Sequence, residues 1–182
     1  MIYKSVVLLS VLPLSMLAHA ASPDAPDISK AALSWTGAVN IIPGNAYTIT
    51  GKDGSMKLED GHLTLHTDGT FISSPVVLEG HKYSKDTSGK MLVGDFASAA
   101  WSLEPKSISM DWGSNSEAAA NISSNIKLID KSTMTDLGTG SVSASVVDLM
   151  VQNNVPTTAL VNNLSELATI RATIVASFDT AG

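Results

Sequence analysis

The feature that most constrains this chain is a strict alternation of apolar and polar residues in two separate segments. Near the C-terminus, every even position is apolar in the set Ala168, Ile170, Ala172, Ile174, Ala176 and Phe178. Near the N-terminus, every odd position is apolar or glycine in the set Ala31, Leu33, Trp35, Gly37, Val39 and Ile41. A period of two residues places alternate side chains on opposite faces of a strand, so both segments predict β-strands with one buried face.

Turn signals divide the chain between these two segments into further short strands. Three Asp-Gly pairs begin at Asp53, Asp60 and Asp68, and this dipeptide supplies the positive φ angles of tight hairpin turns. Residues 118–129 are predicted as a strand, with helix as a minor option at residues 117–121 and 160–167. Many short strands with frequent turns predict an all-β fold, an immunoglobulin-like Greek-key sandwich.

The first twenty residues have the composition of a signal peptide. Lys4 precedes an apolar run from Val6 to Leu17, which ends before the small-residue cleavage pattern Ala18-His19-Ala20. A membrane anchor is the alternative, but the run is shorter than the roughly 20 apolar residues that a span needs. Residues 21–30, with two prolines and two aspartates, are predicted to be a flexible leader. We therefore expect an exported mature chain without a membrane span.

The composition and the short motifs of the chain argue against several classes of function. The chain has no cysteine, which excludes disulfides, thiolate metal sites and cysteine nucleophiles. Its net charge of −6 argues against nucleic acid as a partner, because phosphate binding needs clustered Lys and Arg. His62 and His66 would lie about 13 Å apart on a strand, too far to share one metal ion. With no nucleophile elbow and no dinucleotide fingerprint, we expect no enzymatic activity, no cofactor and no metal.

The alternating segment near the mature N-terminus has a possible role in assembly. A sandwich that lacks one strand leaves an apolar groove, and an alternating segment from another chain can fill that groove by β-augmentation. Residues 31–42 have the pattern that such a donor needs, with Gly37 as the small residue for a shallow part of the groove. Pro43-Gly44 would then be the hinge to a sandwich body formed by residues 43–182. The other interpretation makes residues 31–42 the first strand of the body.

The same segment resembles a known family. The motif Leu33-Ser34-Trp35-Thr36-Gly37-Ala38-Val39 is similar to the aromatic-x-Gly-x-Val pattern that opens many mature subunits of chaperone–usher fimbriae. The signal peptide, the mature length, the low charge and the alternating last strand fit this family, and the lack of cysteine matches its enterobacterial colonisation-factor branch. The resemblance implies an incomplete sandwich that first receives a strand from a periplasmic chaperone. At an outer-membrane usher, the N-terminal segment of the next subunit then replaces that strand.

The resemblance also assigns residues and a location. It implies a structural subunit, major or minor, that is exported through the periplasm to a cell-surface fimbrium. The donor-strand interface would comprise Leu33, Trp35, Gly37, Val39 and Ile41. The groove edge that the chaperone engages would comprise Ile170, Ala172, Ile174, Ala176 and Phe178. Because the leader is rich in proline and aspartate and would insert poorly, the donor role is favoured for residues 31–42. The second hypothesis is a secreted, self-contained β-sandwich that binds carbohydrate through Trp112 and the polar strands near it.

Overall fold

The computed structural model of the chain describes residues 25–35 and 40–179. The predicted signal peptide and residues 21–24 of the predicted leader lie outside the described residues. Residues 36–39 and 180–182 also lie outside them, so the predictions for Gly37 and Val39 are not addressed.

The first sheet contains the N-terminal and C-terminal strands of the described chain. Its members are β1 (Asp27–Ser34), β2 (Asn40–Ile42), β8 (Ala99–Leu103), β9 (Ser109–Asp111), β12 (Val142–Ala144) and β14 (Thr169–Phe178). They lie in the order β12-β8-β14-β1-β2, and β9 pairs with the first residues of β14. The strand next to the C-terminal strand is therefore the N-terminal one.

The second sheet is formed by the strands of the middle of the chain. Its members are β3 (Tyr47–Thr50), β4 (Leu63–Leu65), β5 (Phe71–Ser73), β6 (Val76–Lys85), β7 (Met91–Phe96), β10 (Lys127–Asp130), β11 (Thr135–Asp136) and β13 (Val146–Asn153). β13 is central: it pairs with β10 along one edge and with β5 and β6 along the other. Its residues Val147, Leu149 and Val151 alternate into the core, as the period of a half-buried strand requires.

The two antiparallel sheets pack face to face as a sandwich, which confirms the all-β prediction. Trp101, Leu128, Leu149 and Ile174 have no exposed surface, and they come from strands of both sheets. The hydrophobic core therefore lies between the sheets, where each sheet buries its apolar face. The immunoglobulin-like Greek-key connectivity stays a prediction.

The predicted strand at residues 118–129 is wrong in its first half, where the structure has the helix α1 (Ser116–Ser123). Three consecutive alanines favour helix, and Ala118, Ala119 and Ile122 lie on one helical face, where all three are buried. The minor helix option at residues 117–121 thus describes this segment correctly. The strand begins only at Lys127.

The helix option at residues 160–167 is wrong, because this segment is a loop without regular secondary structure. The buried amide of Asn115 holds the loop in place. Its Nδ2 donates to the Asn163 carbonyl at 2.8 Å, and its Oδ1 accepts the backbone N–H of Asn162 at 2.8 Å. Leu160 and Leu167 are 84% and 85% exposed, so the helical spacing of the leucines does not reflect a buried face.

Two of the three predicted Asp-Gly turns have the expected positive φ. Asp53 and Gly54 have φ values of 59° and 71°, and Gly69 has a φ of 82°. Gly61 has no positive φ but is required for a different reason. A Cβ at this position would lie 2.0 Å from Cδ1 of Trp35, so only glycine leaves room for the indole.

Candidate functional site: strand β1 and its groove

Strand β1 is an interior strand of the first sheet. One edge pairs antiparallel with β14 over its full length, with Asp27 opposite Phe178 at one end. The other edge pairs antiparallel with β2, where Ala31 lies opposite Ile41. β1 thus occupies a groove whose two walls are β14 and β2, and the rest of the same chain supplies both walls.

The apolar residues of β1 and of β14 meet in this groove. Ala31 lies opposite Ile174 and Leu33 lies opposite Ala172. All five predicted groove residues are at most 2% exposed: Ile170, Ala172, Ile174, Ala176 and Phe178. The structure therefore places Leu33, from the predicted donor set, beside the predicted groove residues within a single chain.

Trp35 directly follows β1 and continues the same buried row. Its backbone N–H donates to the carbonyl of Ile170 at 3.0 Å, and the residue is only 1% exposed. Its indole Nε1 is buried and has no hydrogen-bond partner among the described residues. The indole edge faces Gly61, where a Cβ would lie 2.3 Å from Nε1. Close packing against Gly61 therefore helps to fix the position of Trp35.

The boundaries predicted for the donor segment differ from those in the structure. β1 begins at Asp27, so residues 27–30 belong to the strand and not to a flexible leader. Residues 31–42 are not one continuous strand, because residues 40–42 form β2 and run antiparallel to β1. Ile41, predicted to extend the donor row, therefore lies on a wall of the groove. The chain also reverses direction before Asn40, ahead of the hinge predicted at Pro43-Gly44.

The register of β1 and β2 explains why the alternating pattern concealed this reversal. Residues directly opposite each other in neighbouring strands point to the same face of the sheet. Ala31 lies opposite Ile41, so partners are both odd-numbered. The odd positions therefore stay on the core side before and after the reversal, and the alternation continues as if the strand were unbroken.

The first half of β1 carries polar side chains on its inner face, and the Asp27 carboxylate is the first of them. Asp27 is only 8% exposed. Its Oδ1 accepts the backbone N–H of Asn45 at 2.8 Å, and its Oδ2 accepts those of Ala46 and Tyr47, each at 2.9 Å. These three residues lie between β2 and β3 and at the start of β3. The carboxylate is therefore enclosed by three backbone N–H groups from the connection between β2 and β3 and from the first residue of β3.

Ser29 is the second polar residue on this face and is fully buried. Its hydroxyl donates to the carbonyl of Ile42 at 3.1 Å and accepts the N–H of Ile49 at 3.2 Å. One hydroxyl thus links β1 to β2 in its own sheet and to β3 in the other sheet. On the outer face, Lys30 and Glu104 form an ion pair with 2.5 Å between Nζ and Oε1, but its partial exposure makes its contribution to stability small.

A cavity of about 500 Å³ opens beside Trp35 and is also lined by His62, Trp112, Glu166 and Leu167. Trp112 is only 1% exposed, and its Nε1 donates to the Glu166 carbonyl at 3.1 Å. A tryptophan that stacks on sugar rings must present a face to solvent. Trp112 does not do so, and its place in the structure matches a packing role.

A buried ionisable pair lies in the second sheet, at Glu79 and His81. Nε2 of His81 lies 3.0 Å from Glu79 Oε2, and Nδ1 lies 2.8 Å from the carbonyl of Gly94. Both ring nitrogens of His81 therefore face an oxygen atom that can accept a hydrogen bond. Burial raises the pKa of the Glu79 carboxyl, but hydrogen bonds from His81 and from the N–H groups of Gly54 and Asp53 outweigh it. The pKa of Glu79 therefore lies below its ordinary value of 4.5.

Sequence reasoning missed the buried carboxylates of Asp27 and Glu79. Asp27 lies between Pro26 and a strand of mixed polarity, and its segment was interpreted as a flexible leader. Glu79 and His81 are two residues apart in a strand, which places them on one face. That spacing is the only sequence signal for the pair.

Within residues 25–35 and 40–179, no group of three or more His, Asp or Glu side chains is arranged to hold a metal ion. In the same residues, no helix has the length and apolarity needed to cross a membrane. Comparisons with protein-family models, with curated proteins and with solved structures gave no significant match.

Proposed function

We propose that this chain is an exported structural subunit, major or minor, of a bacterial adhesive fimbria, and that its copies join without covalent bonds by exchanging β1. The observation that carries the proposal is the position of β1. It is the first strand of the described chain, yet it fills an interior groove between β14 and β2. A strand at a chain end can leave such a groove without the rest of the chain being rethreaded.

The chemistry of the groove supports exchange between copies. Ala31, Leu33 and Trp35 are almost completely buried, and the five inward-facing residues of β14 are buried as well. An empty groove would expose this apolar surface at a cost of about 1.5–3 kcal/mol for each large side chain. Since every copy carries the same strand, β1 of a neighbour satisfies the groove as well as the chain's own strand does. Exchange of an identical element is a recognised route to assembly.

Exchange of β1 in one direction would give a filament. If each copy gives β1 to the next and receives β1 from the previous one, the contact is head-to-tail. Such a contact continues as a filament unless its rotation closes a ring. A periplasmic chaperone and an outer-membrane usher, the partners implied by the family resemblance, would act on the same groove before assembly.

The proposal is tested by adding a second copy of residues 25–35 after Gly182. Asp27 lies opposite Phe178, so the appended strand needs only a short turn to lie antiparallel to β14. We expect this variant to refold as a stable monomer, whereas the mature chain forms multimers in size-exclusion chromatography with light scattering. As a matched control, the appended copy carries Asp in place of the residue equivalent to Leu33, and this variant should multimerise like the mature chain.

Two results would contradict the proposal. One is a mature chain that refolds only as a stable monomer at every concentration. The other is an appended strand that leaves the multimers unchanged, since the multimers would then form through a different surface.

A further inference from the structure

We propose that the backbone N–H groups of Asn45, Ala46 and Tyr47 form a carboxylate receptor for Asp27 of a second copy of this chain, and that this contact fixes the register of the exchanged strand. The inference rests on the proposed function and names the contact that decides how two copies align. It begins from the three hydrogen bonds of 2.8–2.9 Å that enclose the Asp27 carboxylate within one chain.

The receptor is built for an acceptor with two oxygens. One donor faces Oδ1 and two donors face Oδ2, so both oxygens are engaged on one side of the carboxylate. Consecutive backbone N–H groups that converge on one point form an anion-binding concavity. Asparagine has the same size, but its NH₂ group would face at least one of these donors and leave it unsatisfied.

Gly44 leaves the space in which the carboxylate lies. A Cβ at Gly44 would lie 2.3 Å from Asp27 Oδ1 and 2.6 Å from its Cγ. Gly44 has no positive φ, so alanine fits its backbone and would act only by occupying the space of the carboxylate. The hydroxyl of Tyr83 donates to the Gly44 carbonyl and holds the backbone at Gly44 in position. The strand that carries Asp27 and the backbone that receives its carboxylate can therefore be changed separately.

The contact adds to the register that the close packing of Trp35 against Gly61 also favours. A slip by two residues keeps the same face of β1 inward, so the alternating pattern alone does not prevent it. The same slip would move the Asp27 carboxylate away from its three donors and leave a buried charge without partners. An unpaired buried charge is far more costly than an imperfect apolar contact.

The test changes the two sides of the contact in separate chains and then mixes them. Asp27→Asn impairs the donor strand, and Gly44→Ala impairs the receptor. Each mature variant is refolded alone and together with the other at equal concentration, and the species are identified by native mass spectrometry. Asp95→Asn, at an exposed carboxylate, and Gly140→Ala, where a Cβ meets nothing closer than 3.5 Å, serve as matched controls.

Each variant alone loses hydrogen bonds to the Asp27 carboxylate both in the closed chain and between copies, so we expect a lower stability in denaturant unfolding than for the wild-type chain. In the mixture, the intact strand of the Gly44→Ala chain meets the intact receptor of the Asp27→Asn chain. Heterodimers should therefore exceed either homodimer by about tenfold. If Asp27→Asn does not fold alone, circular dichroism should show that it regains folded structure when it is mixed with the Gly44→Ala chain, and this result would support the same contact.

Two other outcomes are informative and distinguishable. If the wild-type chain forms multimers but the mixture contains only the statistical share of heterodimers, Asp27 does not fix the register. The proposal that copies exchange β1 would be unaffected by this result. If the wild-type chain forms no multimers and the appended copy of residues 25–35 changes nothing, strand exchange fails and the register contact fails with it.

Discussion

At the residue scale, the Glu79–His81 pair makes stability depend on pH. The pKa of Glu79 is lowered in the folded chain, so folding favours the ionised carboxyl. This contribution to the free energy of unfolding is fully present above the ordinary pKa of 4.5 and is lost as the pH falls through the lower folded value. We expect Glu79→Gln to cost about 1–3 kcal/mol at neutral pH, because it leaves buried donors unsatisfied.

Denaturant unfolding at several pH values between neutrality and strong acid measures this effect. The loss of stability on acidification should be smaller in Glu79→Gln than in the wild-type chain. Glu59→Gln, at an exposed site, should keep the wild-type pH profile. Parallel profiles for Glu79→Gln and the wild-type chain would show that Glu79 does not carry this dependence.

The close approach of Gly61 to Trp35 makes a second prediction at this scale. Gly61→Ala would place its Cβ 2.0 Å from Cδ1 of the buried indole, so either the ring or the backbone must move. We expect a loss of about 1–3 kcal/mol, typical of overpacking, and a change in tryptophan fluorescence. Gly140→Ala introduces the same methyl group at ordinary contact distance and should change neither. A Gly61→Ala chain as stable as the wild type would mean that Trp35 is not fixed by this contact.

The sequence predicted individual residues well where burial alone decided their position. The five even-numbered residues of β14 are buried as predicted, because a period of two is a direct consequence of strand geometry. Asp27 was missed because proline and aspartate are turn formers, and their presence indicates a loop when only local preference is considered. Its carboxylate instead depends on donors of residues 45–47, a long-range contact that no local pattern contains.

At the scale of elements, β1 and β2 show the limit of periodicity. The pattern correctly predicted that Ala31, Leu33 and Trp35 are buried. It could not show that the chain reverses before Asn40, because the register keeps odd positions inward on both strands. The helix α1 shows the opposite case, where a run of alanines overrode a predicted strand. Pairing register supplied the missing information for β1 and β2, and the helix propensity of alanine supplied it for α1.

The two faces of β1 provide a matched prediction for this element. Leu33 points into the groove and is 2% exposed, while Ile28 lies on the outer face and is 47% exposed. We expect Leu33→Ala to cost about 2–5 kcal/mol of unfolding free energy and to reduce the yield of multimers. Ile28→Ala should cost less than about 1 kcal/mol and leave the yield unchanged. Equal effects of the two substitutions on stability and yield would contradict the assignment of β1 as the strand that fills the groove.

At the scale of the whole molecule, closure within one chain and exchange between chains compete for the same groove. Insertion of a chain's own β1 is a unimolecular event, whereas insertion of a neighbour's β1 is bimolecular. Once β1 is inserted, its release must break eight residue pairs with β14 and expose the apolar groove. Whether a chain becomes a closed monomer or part of a multimer is therefore decided when its groove is first filled, because later exchange is slow.

This competition leads to a prediction that ordinary reversible association does not make. The multimer fraction should rise with the protein concentration during refolding, and it should persist when the refolded sample is diluted. Size-exclusion chromatography of samples refolded at low and high concentration and then brought to one concentration measures both. The variant with the appended copy of residues 25–35 should be monomeric in every sample, since its groove is filled by a strand of the same chain. Multimers that dissociate promptly on dilution would indicate a surface contact instead, because a strand held by both groove walls cannot leave without unfolding part of the sandwich.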